Sequence, residues 1–156
     1  MIGVPVKVLV ALCAGLLVSG KVAQAQPIPQ TLRDFGFFGT WAIHCEEPAS
    51  PSNNTRFALI SSTGDAIFRE TLGPHSEPNV YVVLRAVRES DDTLALLAKI
   101  NGEFEQELTI VRKNGRLRTF KNVDVATGRV VVRQGTVVST GQRTPWLSHC
   151  DEPPSE

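Results

Sequence analysis

From Phe37 onward, apolar and polar positions alternate with a period of two in short runs. Clusters of Gly, Asn, Pro and Ser separate these runs, and no stretch shows a convincing helical period. The runs predict strands at Phe37–Cys45, Arg56–Ser61, Ala66–Leu72, Val80–Arg88 and Thr93–Ile100. Two more flank Asn114-Gly115, and a last one spans Arg129–Val138. Two Asn-Gly steps, Asn101-Gly102 and Asn114-Gly115, are strong hairpin signals, because both central residues of a type I′ turn need positive φ. On the first strand, Gly39, Trp41, Ile43 and Cys45 share one face, opposite Thr40, Ala42 and His44.

The hairpins constrain register. A two-residue turn at Asn101-Gly102 would turn Leu94, Leu96 and Ile100 outward. A three-residue loop that includes Glu103 instead pairs Ile100 with Phe104 and Leu96 with Leu108, and is preferred. A two-residue turn at Asn114-Gly115 places Leu117, Thr119, Lys121 and Val123 inside. A four-residue loop at Val125–Gly128 adds Val130, Val132, Gln134 and Thr136.

A sequential meander of eight strands with one inward face predicts an all-β domain. Its expected form is a single antiparallel up-and-down barrel, with a β-sandwich as the alternative. Closure also removes the exposed edges that such β-branched strands would otherwise present. Trp-x-x-His-Cys occurs at both ends, as Trp41 to Cys45 and Trp146 to Cys150, and the two copies are expected to form the closing seam, stapled by Cys45–Cys150.

The first residues change the picture. Val4 to Val18 is apolar apart from Lys7, short for a membrane span, and followed by Ala23-Gln24-Ala25, with small residues at −3 and −1. A signal peptide over 1–25 is expected, with export to the periplasm or beyond. Cys13 would leave with it, so Cys45 and Cys150 remain as the only pair, in a compartment where disulfides persist. Residues 26–36, with Gln26 to Asp34 rich in proline, are expected to form a flexible extended arm. Residues 37–151 would be the barrel and 152–156 a disordered tail. Loss of Lys7 and Lys21 leaves 14 basic against 16 acidic residues. That balance argues against nucleic acid, and no second apolar run is long enough to span a membrane.

Gly39-Thr40-Trp41 resembles the G-x-W opening of the lipocalins and related small barrels. The resemblance implies that Trp41 plugs one end of the barrel beneath a basic residue, for which Arg143 is the match, and that the fold binds small ligands. Phe38-Gly39-Thr40-Trp41 to Cys45-Glu46 also resembles the first strand of the invasion-associated locus B family of exported bacterial proteins. A G-x-W barrel with an N-terminal arm is further similar to bacterial metalloprotease inhibitors, whose arm enters the protease.

Candidate chemistry is sparse. His44, Cys45, His149 and Cys150 are zinc-ligand types, but neighbours on a strand point to opposite faces, so a structural disulfide is favoured and no metal or cofactor is expected. No serine lies in a nucleophile elbow, His75 sits in a Gly/Pro loop, and Asp91-Asp92 and Glu46-Glu47 are turn carboxylates. Asn53-Asn54-Thr55 is a glycosylation sequon. Gln106, Thr119, Lys121 and Gln134 fall on the inward face, where four polar groups suggest a wet pocket, with Lys121 either meeting an anionic ligand or snorkelling to water at the barrel rim. The expected function is therefore non-enzymatic: an exported module binding a small anionic or apolar ligand. The alternatives are a protease inhibitor acting through the arm, and a structural or host-interacting envelope protein with a protein partner.

Overall fold

A computed structural model describes residues 26–151. The expected signal peptide, its cleavage site and the tail at 152–156 lie outside the described residues. The first element corrects an expectation. The residues anticipated as an extended arm form helix α1, Ile28–Phe35. Pro29 sits in the first turn, where a missing N–H is no loss, and Gly36 ends the helix in the left-handed conformation at φ 72°. The Gly36 N–H donates to Arg33 O (2.9 Å) and the Phe37 N–H to Leu32 O (2.9 Å), which caps the last carbonyls. Ile28, Leu32 and Phe35 form one apolar stripe, with Leu32 and Phe35 fully buried. Burial of two such side chains contributes about 1.5–3 kcal/mol each, enough to order a helix too short to persist alone.

Ten strands follow: β1 Gly39–Ala42, β2 Thr55–Ile60, β3 Ala66–Thr71, β4 Asn79–Ser90, β5 Thr93–Ile100, β6 Phe104–Lys113, β7 Arg116–Asp124, β8 Val130–Arg133, β9 Thr136–Val137 and β10 Leu147–Cys150. β1 to β7 pair in sequence, all antiparallel, and β10 closes the ring by pairing with both β7 and β1. The result is a closed eight-stranded antiparallel barrel rather than a sandwich. Trp41 lies opposite His149 and Thr40 opposite Cys150, so the two Trp-x-x-His-Cys copies do form the seam. Cys45 and Cys150 are bonded, with Cα atoms 5.4 Å apart.

The β5–β6 register has Ile100 opposite Phe104 and Leu96 opposite Leu108, and the Asn114-Gly115 turn sets Lys113 opposite Arg116. Both match the hairpin argument. The strand expected over Arg129–Val138 is instead broken. Gln134 (φ 49°) and Gly135 (φ 67°) make a tight turn, so β8 and β9 form a small hairpin that leaves the barrel wall. β7 is thus shared, its first residues pairing with β10 and its last with β8.

The two ends of the barrel differ. α1 packs beneath the end that carries the β4–β5 and β6–β7 turns, where Leu32, Phe35 and Phe37 join Leu94 and Ile110 in the core. Arg112 fixes the cap: its Nη1 donates to Phe35 O (2.9 Å) and its Nη2 to Asp91 O (2.7 Å). Toward the other end the inward side chains become polar.

Candidate functional sites inside and outside the barrel

The polar interior follows from register. Arg56 on β2 lies opposite Glu70 on β3, and Tyr81 on β4 opposite Phe68. Arg56, only 4 % exposed, donates from Nε (2.9 Å) and Nη2 to Glu70 Oε1, and from Nη2 to Thr119 Oγ1 (3.1 Å). The Tyr81 hydroxyl donates to Glu70 Oε2 (3.1 Å), and its ring stacks on Phe68 at 4.2 Å. Burial, reinforced by the Glu70 carboxylate, pushes the Tyr81 phenol well above its usual range, against the opposing pull of Arg56. Both Glu70 oxygens are taken, so the cluster reads as an internal strut that ties β2, β3, β4 and β7 together. Arg56 Nη1 and Asn122 Oδ1 have no partner among the described residues.

The expected inward set of Gln106, Thr119, Lys121 and Gln134 does not assemble. Gln106 and Thr119 are internal, Gln106 accepting from Asn122 Nδ2 at 2.7 Å. Lys121 is exposed on the outer surface. The cause is a bulge: Thr109 pairs with Lys121 and Ile110 with Thr119, so Phe120 is the extra residue and every later side chain of β7 changes face. Asn122, not Lys121, is the inward residue opposite Leu108 and Val132. Gln134 is exposed at the β8–β9 turn. An interior pocket built on Lys121 is therefore excluded.

Lys121 and Gln134 meet instead on the outside. Between the outer wall of the barrel and the β8–β9 hairpin runs a groove of about 420 Å³, floored by Val111, Phe120, Val130 and Val132. Lys121, Arg133 and Gln134 line it, with Glu89 at its edge. A second hollow of about 280 Å³ continues it along β4–β6, with Lys121 and Glu89 common to both. Neither Lys121 nor Arg133 has a carboxylate within ion-pair distance among the described residues.

Arg118 holds the hairpin that forms the groove's far wall. It is buried, donates from Nε to Thr144 Oγ1 (3.0 Å) and from Nη2 to Gly135 O, and lies 5.4 Å over the Trp146 ring. Thr144 in turn donates to Thr119 O (2.6 Å), and the Gly135 N–H to Phe120 O (2.7 Å). Any side chain at residue 135 would run into the Arg118 guanidinium, so close approach as well as positive φ demands glycine. Burial, and then the like charge of Arg143, lower the Arg118 pKa.

The remaining candidates resolve plainly. Trp41 is buried, its Nε1 donating to Phe37 O (3.0 Å). The group against its ring is His149, edge-on at 4.8 Å, whereas Arg143 is exposed beside Thr136. The disulfide takes both thiols that a zinc site or a cysteine nucleophile would need. Asn53 is 1 % exposed and pins the loop between β1 and β2, accepting from His44 N and donating to the carbonyls of His44, Glu47 and Pro48. That burial removes it as a glycan acceptor. Comparison with protein-family models, curated proteins and solved structures finds no match.

Proposed function

We propose that this chain is a non-enzymatic binding module that works after export and takes a small amphipathic anion into the groove beneath the β8–β9 hairpin. The observation that carries this is the groove itself. Its volume falls within the roughly 300–1,000 Å³ of small-molecule sites, its floor is valine and phenylalanine, and it is lined by two cations without ion pairs among the described residues. An alkyl chain would cover the floor while a carboxylate meets Lys121 and Arg133. Export is supported by the apolar run Val4 to Val18 before Ala23-Gln24-Ala25, and by the disulfide. The inhibitor alternative loses its main support, because residues Ile28–Phe35 are folded under the barrel rather than free to enter a cleft.

A thermal-shift series with decanoate and laurate tests the reading. Stabilisation that grows with ligand concentration and disappears in Lys121→Met is expected. The absence of any shift with either acid, or an undiminished shift in Lys121→Met, would overturn it.

A further inference from the structure

The balanced charge of the chain conceals a division. From residue 26 to 110 there are 6 lysines and arginines against 12 acids; from 111 to 150 there are 8 against a single acid, Asp124. The fold gathers most of the second group on one face. Arg116 and Arg118 flank Trp146, at 6.0 and 5.4 Å. Arg143 stands beside Arg118 and pairs through Thr136 with the β8–β9 hairpin, where Thr136 also faces Arg133. Arg133 and Lys121 share the groove. Arg116, Lys121, Arg133 and Arg143 are exposed, and none makes an ion pair among the described residues. By contrast Arg56, Arg85, Arg88 and Arg112 all have carboxylate partners.

We propose that this face docks on an anionic phospholipid surface. The unpaired cations supply the attraction to lipid phosphate, about fivefold in binding for each one close to the surface. Apolar side chains among them favour lipid over other polyanions: Val138 is 54 % exposed and Phe120 39 % exposed. Val138 suits hydrocarbon rather than stacked bases, the Phe120 ring lies in the lining of the groove, and Trp146, half-buried beside two arginines, is not free to stack on a base. The inference stands on the placement of charge and does not depend on what occupies the groove.

Vesicle co-sedimentation of the full chain, as isolated after expression, tests it. Phosphatidylcholine vesicles are compared with vesicles containing phosphatidylglycerol at low and high salt. Binding to the anionic vesicles only, lost at high salt, is expected. The combined variant Arg116→Gln, Arg133→Gln, Arg143→Gln should bind roughly a hundredfold more weakly. A matched variant among the cations of residues 26–110 that line neither hollow, Arg33→Gln, Arg69→Gln, Lys99→Gln, should bind as the parent does. Equal binding to both vesicle types, an equal loss in the two variants, or tighter binding to a duplex oligonucleotide than to anionic vesicles would each overturn the proposal.

Discussion

At the seam between β1 and β10, both faces of the sheet are closed: Trp41 is buried on one, Thr40 and Ala42 on the other, and a disulfide ties the strand to the chain's end. Where β7 leaves β10, the next hairpin is joined by two ladder pairs and a clasp centred on one buried guanidinium. The first junction is built from apolar burial and a covalent bond. The second is built from polar contacts around one buried side chain, and it borders the groove and the basic face. Polar contacts exchanged for water contribute little net stability, so they can hold a wall in place without making it part of the cooperative core. The division between a rigid seam and a lightly held hairpin is therefore also a division between the scaffold and the proposed binding surface.

The largest effects should fall on the seam. Cys45→Ser opens a bond that spans 105 residues and should cost about 4–5 kcal/mol by loop entropy, read from urea unfolding. A loss below about 1 kcal/mol would mean that hydrogen bonding and packing close the seam unaided. Next, Trp41→Ala should cost about 3–5 kcal/mol, as other large core truncations do. A small loss would place the tryptophan outside the cooperative core.

Much of the seam was legible in the sequence, and little of the second junction was. Paired cysteines, repeated Trp-x-x-His-Cys and two Asn-Gly turns carry strong local physics, so closure and the β5–β6 register could be argued from residues alone. The helix has its own signal, apolar spacing at Ile28, Leu32 and Phe35 between an early proline and Gly36, but Pro27 and Pro29 suit an extended arm equally well. The bulge at Phe120 has no comparable signature, because a two-residue period continues plausibly through Lys121. One inserted residue then moved Lys121 from the presumed pocket to the surface. The Gln134-Gly135 turn was hidden inside a run of β-branched residues. The near-balance of total charge conceals the basic face, which shows only in the division of charge along the chain.

An intermediate effect should come from the strut inside the barrel. Tyr81 is the only tyrosine in the chain, so tyrosinate absorbance reports it without interference. Burial raises its folded pKa above the unfolded value of about 10, so the folded state holds its proton after the unfolded chain has lost it. Stability should therefore be intact below about pH 10 and fall as pH rises beyond it, by about 1.4 kcal/mol per unit. Tyr81→Phe should remove that slope. A tyrosine that titrates in the folded protein near pH 10 would show the interior to be open to water.

The smallest global effect is expected from Arg118→Leu. The guanidinium's partners keep other hydrogen bonds: Gly135 O still accepts from the Thr144 N–H at 3.0 Å, and Thr144 Oγ1 still donates to Thr119 O at 2.6 Å. Net loss in unfolding free energy should stay near 1–2 kcal/mol. Local opening should be far more pronounced. Amide exchange at Gly135, Val137, Val138 and Thr144, whose N–H groups all serve the hairpin, should quicken at least about tenfold, while β1 and β10 amides keep their protection. The groove loses its fixed wall in the same step, so any stabilisation by laurate should weaken together with hairpin protection. If exchange instead quickens evenly across the barrel, the hairpin belongs to the cooperative core and the contrast between the two junctions fails.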